Sequence, residues 1–247
     1  MSIFRNVVFV AALAGLCAGI LMAAMQAYAT VPLILEAELF ENAGGGHDHA
    51  AEAAAPAGAE QAVAEAEEEE GWAPEDGFER TFYTVLANIV TGIGFGLVLV
   101  AASELAGGIR NWREGIFWGL AGFAVFTLAP GLGLAPELPA MPAADLATRQ
   151  VWWIATVAAT AAGLALIAFR RTLPLALLGL ALIVVPHLVG APQPESHDSP
   201  IPADLHHSFV VAVTVTNLIF WVALGMLVAM FRQRISIPAG EARESLA

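Results

Sequence analysis

The sequence predicts an all-α integral membrane protein, a bundle of six transmembrane helices with one long, acidic, disordered external loop. Hydrophobic residues make up 58% of the 247 residues, and a helix needs roughly 20 mostly apolar residues to cross a bilayer core about 30 Å thick. Six stretches approach this length, at residues 7–29, 82–106, 115–134, 151–169, 173–190 and 208–231. They divide the chain into a first helix (1–30), a loop (31–80), a five-helix membrane core (81–235) and a tail (236–247).

The first stretch also resembles a signal peptide. Arg5 precedes the apolar run, and Ala27-Tyr28-Ala29 has the small-residue pattern of a cleavage site. The apolar run is longer than the core of a usual signal peptide, so we expect it to stay as a membrane helix. Cleavage would leave five spans and an external N-terminus, and the loop that follows is external in both cases.

The basic residues predict the orientation of the spans. Short cytoplasmic loops keep an excess of Arg and Lys during insertion, and seven arginines flank the spans on one side: Arg5, Arg110, Arg113, Arg170, Arg171, Arg232 and Arg234. We therefore predict a multi-pass protein of the inner (cytoplasmic) membrane with both termini, including the tail at 236–247, in the cytoplasm. Arg80 and Arg149 lie on the other side, with the carboxylates of Asp76, Glu79 and Asp145 nearby in sequence.

The loop at residues 31–80 is rich in Glu, Ala, Gly and Pro, and it contains the run EAEEEE at 65–70. Low hydrophobicity and repulsion between like charges predict disorder. The formal net charge of the chain is -13, which makes nucleic acid an unsuitable partner, whereas the lipid bilayer is the expected surroundings of the spans. A negative loop also attracts cations without any fixed geometry.

All six histidines lie on the predicted external face, and the loop carries the first two in His47-Asp48-His49. Residues i and i+2 of an extended backbone point to the same side, so both imidazoles can bind one ion, and Asp48 adds a carboxylate. Imidazole is the commonest ligand for first-row divalent metals. The pattern predicts metal capture, with an incidental polar loop as the alternative.

The last predicted external loop, residues 190–207, carries the ligand candidates His197, Asp198, His206 and His207. Asp204 is the expected N-cap of the sixth span, and a helix N-terminus disfavours a protonated imidazole. Neutral ring nitrogens would then be available to a metal, although the same dipole opposes a cation and requires carboxylates to offset it. Metal contact and a plain polar loop both stay open here.

His187 is the most specific single candidate, because it follows Pro186 inside the fifth predicted span. Proline in a helix removes a backbone donor and commonly introduces a kink, and an ionisable residue at membrane depth is a functional hypothesis by default. We expect His187 to receive an ion from His206 or His207. The alternative is an interface histidine bonded to a neighbouring helix.

Other polar residues within the spans could line a path, but hydrogen bonding between helices is their commoner use. They are Gln26, Asn88, Thr91, Glu104, Thr127, Thr214, Thr216 and Asn217. Glycines four residues apart, such as Gly15 with Gly19 and Gly92 with Gly96, let helix backbones approach closely and indicate a packed bundle or a homo-oligomer.

Several enzyme classes are excluded by the residues present. The chain has no lysine, which a Walker A loop needs, and it lacks a nucleophile elbow, a zinc-protease helix motif and a dinucleotide fingerprint. A haem protein would need paired histidines deep in facing helices, and His187 alone approaches that depth. We predict a non-enzyme, either a permease subunit or a membrane protein that buffers or senses external metal for a separate transporter.

The chain resembles the CbtA family of proposed cobalt transporter subunits. The likeness is carried by residues 47–49 in an acidic loop, 72–80 (WAPEDGFER), 138–140 (LPA), 149–153 (RQVWW), 186–192 (PHLVGAP) and 220–221 (FW). This resemblance implies uptake of cobalt(II) for cobalamin biosynthesis, together with a small single-span, histidine-containing partner of the CbtB type. Residue chemistry alone would equally accept nickel(II) or zinc(II), and no permanently bound cofactor is expected. The family is often described with five spans, one fewer than predicted for this chain.

Overall fold

The computed structural model describes residues 2–45, 74–75, 77–170 and 172–235. Over these ranges the chain forms helices and connecting loops, without strands, which confirms the predicted all-helical class. The helices are α1 (Ser2–Ala29), α2 (Val31–Gly45), α3 (Phe78–Leu105), α4 (Trp112–Gly131), α5 (Leu146–Arg170), α6 (Leu173–Val189) and α7 (Ala203–Arg234).

Five of the described helices, α1, α3, α4, α5 and α7, are long and apolar enough to cross a membrane. Helix α6 coincides with the fifth predicted span and is also apolar, but it has 17 residues. At 1.5 Å per residue its length is about 25 Å, slightly less than a typical bilayer core. The sixth span therefore stays a prediction, and it depends on α6.

The six long helices alternate in direction, so the bundle has two chemically distinct ends. The histidine end carries all the described histidines, which are His187, His197, His206 and His207. The opposite, arginine end carries Arg110, Arg113, Arg170, Arg232 and Arg234. The one-sided distribution expected from the sequence is thus present in the described part of the fold.

Glycines bring the helices into backbone contact. A Cβ atom on Gly15 of α1 or Gly92 of α3 would collide with the facing backbone carbonyl, and the same holds for Gly163 of α5 and Gly179 of α6. Gly225 of α7 faces α4 in the same way. Helix α1 packs on α3 and α7, helix α7 also packs on α4, and α5 and α6 form a hairpin that α4 joins to the rest.

Residues 31–45 form a helix, so the prediction of a disordered loop beginning at residue 31 is wrong for this part. Leu33, Ile34 and Phe40 of α2 pack with Ala37 in an apolar cluster. The cluster also contains Leu138, Ile201, Leu205 and Phe209 from the loops and helix nearby. These apolar contacts, made at helical spacing, offset the low hydrophobicity of the loop as a whole. Residues 46–73 lie outside the described ranges.

Helix α4 contains one π-helical turn at Ala124–Leu128. Pro130 has no N–H to donate to the carbonyl four residues earlier, and such a missing bond lets the helix widen locally. The turn carries Phe126, whose ring stacks on that of Trp221 with centroids 5.5 Å apart and planes 9° apart. Phe95 of α3 lies 4.8 Å from the same Trp221 ring. These rings form an aromatic layer between α3, α4 and α7.

A buried ion pair joins α3 to α7 at the arginine end. Arg232 and Glu104 are 3% and 6% exposed, with Arg232 Nη1 2.7 Å from Glu104 Oε1 and Nη2 3.1 Å from Oε2. Arg232 also donates to the carbonyl oxygen of Ile109 at 3.3 Å. The guanidinium lies directly against Gly108, whose φ of +78° favours glycine.

Replacing Gly92 by Ala should destabilise the fold by about 1–3 kcal/mol, because the added methyl group collides with the backbone of α1. Gly94 on the same helix has open space around its Cα and provides the matched control, Gly94→Ala. Thermal unfolding of both variants in detergent micelles measures the difference. Equal unfolding temperatures would contradict the close packing of α1 on α3.

Removing one partner of the buried ion pair should cost about 3–5 kcal/mol, since the other charge is left buried alone. We expect Arg232→Met and Glu104→Leu each to lower the unfolding temperature, and the double variant to recover much of the loss. Arg234→Met, at an exposed position two residues away, serves as the control. A double variant as unstable as the sum of the two single variants would show that the groups do not act as a pair.

Candidate functional site

The predicted metal ligands fall into two groups. His47, Asp48 and His49 lie outside the described residues. His187, His197, Asp198, His206 and His207 all lie at the histidine end. Among the described residues, no three His, Cys, Asp or Glu side chains come together as a metal-binding group. The assignment of these residues as metal ligands therefore stays a prediction.

His187 lies in the last turn of α6, half-buried against α5. Its ring meets the Trp152 ring edge to face, with centroids 5.9 Å apart. Trp152 Nε1 donates to the carbonyl oxygen of Pro186 at 3.2 Å, and the N–H of Gly190 donates to the same oxygen at 3.1 Å. Trp152, which is buried, thus holds the backbone that carries His187.

His206 lies in the first turn of α7. Its Nε2 is 3.0 Å from the carbonyl oxygen of Pro136, so the ring donates from Nε2 when it is neutral and keeps an electron pair on Nδ1. The N-cap of α7 is Pro202, and the expectation that Asp204 is the cap is wrong, because the helix already begins at Ala203. Asp204 instead places a carboxylate in the first turn, where its negative charge interacts favourably with the positive end of the helix dipole.

His197, Asp198 and His207 are exposed at the surface of the histidine end. The backbone N–H of Asp198 donates to Ser196 Oγ at 3.1 Å. A groove of about 760 Å³ runs between the segments at 142–148 and 190–196, and its lining includes the carboxylates of Asp145 and Glu195. Glu195 and Asp198 lie on either side of His197 in the chain and are exposed, so acidic groups are present near this histidine.

The two described arginines of the histidine end are both paired with carboxylates. Arg149 Nη2 lies 2.9 Å from Glu137 Oε2, and Arg80 makes a bidentate contact with Glu38 of α2, with Nη1 donating to Oε2 at 3.1 Å. Two of the carboxylates nearby in sequence accept backbone hydrogen bonds. Glu79 accepts the N–H of Glu75 at 3.0 Å. Asp145 accepts the N–H of Thr148 at 2.9 Å.

A cavity of about 210 Å³, lined by both polar and apolar side chains, lies between α1, α2, α3 and α7. Its lining comprises Met22, Gln26, Thr30, Val31, Ile34, Arg80, Thr84, Phe209, Val213, Thr216 and Asn217. Asn88 beside it donates to Gln26 Oε1 at 2.6 Å, which is the interhelical hydrogen bond expected from the sequence. The volume has room for several waters, each of which takes about 30 Å³ in the liquid.

The cavity was not predicted from the sequence, although a signal for it was present. Met22 and Gln26 of α1 and Thr30, directly after it, follow one another at intervals of four, and Arg80 and Thr84 do so on α3. Residues four apart share a helix face, so Gln26 and Thr30 lie on one face, and Arg80 and Thr84 lie on one face of α3. The sequence does not show that these two faces lie opposite each other.

Comparison with known proteins gives one family match. The family model described as "Probable cobalt transporter subunit (CbtA)" matches residues 4–233, which is nearly the whole chain. Comparison with curated proteins and with solved structures finds no match.

Replacing His206 by Ala should lower stability by about 0.5–1.5 kcal/mol, because the hydrogen bond to Pro136 that ties α7 to the loop between α4 and α5 is lost. His207→Ala is the matched control, since the neighbouring ring is exposed. Thermal unfolding of both variants tests the assignment. A larger loss for His207→Ala would contradict it.

Proposed function

Because the chain belongs to the CbtA family of probable cobalt transporter subunits, we propose that it forms the membrane part of a cobalt(II) uptake system that supplies cobalamin biosynthesis. The observation that supports this most directly is the placement of every described histidine at one end of the bundle. That end is proposed to face outward from the inner membrane. The arginine end is proposed to face the cytoplasm, in accordance with the positive-inside rule.

In the proposed mechanism, external groups capture the ion in sequence. The acidic run at 65–70 raises the local cation concentration, and His47 and His49, with Asp48, bind one ion. His197, Asp198, His206 and His207 pass it along the surface, and His187 controls entry at the end of α6. Imidazole and carboxylate are suitable ligands for each of these steps.

The identity of the metal rests on the family. Sites made of imidazole and carboxylate bind nickel(II) or zinc(II) as well as or better than cobalt(II) in the usual affinity order. A partner is proposed on the same ground, since the family description is of a subunit. We propose a small single-span, histidine-containing protein of the CbtB type.

The membrane potential is a sufficient driving force for uptake. An inside-negative potential is worth about 2.3 kcal/mol per charge per 100 mV. A divalent cation that crosses the membrane at 100 mV therefore gains about 4.6 kcal/mol. This energy supports accumulation by a factor of about a thousand. ATP hydrolysis is not needed for such a gradient.

The proposal is tested by radioactive cobalt accumulation in cells that lack their own cobalt importers and express this chain with and without the small partner. We expect uptake that collapses when the potential is dissipated, and that decreases when His187 is replaced by Leu while cobalt binding to the external loop is retained. Val184→Ala, at an exposed position one turn earlier on α6, is the control for packing.

Two outcomes would contradict parts of this proposal. Normal uptake by His187→Leu would exclude its control of entry. Failure of the inserted chain to accumulate cobalt under either condition would favour the alternative function, a membrane-anchored protein that buffers or senses external metal.

A further inference from the structure

We propose that the cavity between α1, α2, α3 and α7 is the internal site for the transported divalent cation, which enters it from the histidine end with part of its water shell and meets the polar side chains of the lining. This inference rests on the proposed function for the identity of the cargo. It adds a location for the path, within a single chain and apart from the α5–α6 hairpin that carries His187.

The depth of the cavity is suited to such a site. Its lining on α7 runs from Phe209 to Asn217, and eight residues of helix span about 12 Å. Asn217 lies 14 residues after Ala203 and 17 residues before Arg234, counted along α7. The cavity thus extends from the histidine end to about the middle of the longest helix, the depth at which transporters commonly bind their substrates.

The ligand chemistry favours a hydrated cation. Asn217 donates its amide N–H to the carbonyl of Val213 at 2.9 Å, which directs Oδ1 away from that bond. Thr216 donates its hydroxyl to the carbonyl of Ala212 at 2.8 Å and keeps oxygen lone pairs. Neutral oxygens of this kind hold a cation weakly enough for it to leave again, as conduction requires.

The charge beside the cavity is balanced. Arg80 lines the cavity, and its guanidinium is paired with the Glu38 carboxylate of α2. The negative carboxylate offsets a positive charge that would repel a divalent cation. Glu38 therefore has a positioning role. It offsets the charge of Arg80 and holds α2 against α3.

The aromatic layer lies beyond the cavity, toward the arginine end. Phe220 and Trp221 follow Asn217 on α7 after one turn, and Phe95 and Phe126 pack against Trp221. Apolar rings are a barrier to an ion that carries water. The π-helical turn that places Phe126 in this layer belongs to a class of irregularity frequent at functional sites. The aromatic layer thus lies between the cavity and the arginine end of α7.

The transport test uses Asn217→Leu and Thr216→Val, with Thr214→Val as the matched control. Thr214 makes the same type of hydrogen bond, to the carbonyl of Val210, but it does not line the cavity. We expect Asn217→Leu to reduce cobalt uptake at least tenfold and Thr216→Val several-fold, with uptake by Thr214→Val unchanged. Glu38→Gln should also reduce uptake, whereas Glu36→Gln, at an exposed position of the same helix, should not.

Failure of the two proposals is distinguishable in this experiment. If the parent chain with its partner does not accumulate cobalt, the proposed function is wrong. If the parent chain accumulates cobalt and Asn217→Leu does so at the same rate, the cavity is not the ion site.

Access to the cavity is tested independently of transport by cysteine labelling. Cys17 is the single cysteine of the chain, so Cys17→Ala supplies the background. Asn217→Cys in this background should react with a small, positively charged, membrane-impermeant thiol reagent added from the histidine side, and cobalt should slow the reaction. Thr214→Cys should react much more slowly. Equal labelling at both positions, or a labelling rate at Asn217→Cys that cobalt leaves unchanged, would overturn the proposal.

Discussion

Close contact between helix backbones is the constraint on which the rest of the structure depends. Lipid chains are as apolar as leucine, so helices in a bilayer associate through packing and hydrogen bonds. In this bundle the packing is made possible by glycines, among them Gly15 against Gly92 and Gly225 against α4. These contacts fix α1, α3, α4 and α7 side by side, and the positions of the loops and of the cavity follow from that arrangement.

Helix α3 is held at both ends by ion pairs with different partners. Near its first turn Arg80 binds Glu38 of α2, and near its last turn Glu104 binds Arg232 of α7. The first pair lies beside the cavity, which Arg80 lines, whereas the second is buried and joins α3 to α7 at the arginine end. Between them lies the aromatic layer around Trp221. From the histidine end to the arginine end, α3 therefore passes the cavity, the aromatic layer and the buried ion pair.

The histidine end has two separate parts. His187 belongs to the α5–α6 hairpin and contacts Trp152, while the cavity is lined by α1, α2, α3 and α7. His206 connects α7 to the loop at Pro136, which lies between α4 and α5 in the chain. The proposed capture of an ion at His187 and its proposed passage through the cavity thus involve different groups of helices.

The sequence by itself determined the helical class, the apolar stretches, the two chemically distinct ends and the resemblance to the family, because hydrophobic length and charge placement are properties of short segments. It also indicated the polar residues of α1 and α7 and the close approach at Gly15 and Gly92. Helix α2, the pairing of Glu38 with Arg80, the pairing of Glu104 with Arg232 and the cavity were decided by the tertiary structure alone. Each of these features depends on contacts between segments that are far apart in the chain. The sequence of a single segment does not specify which helix packs beside it.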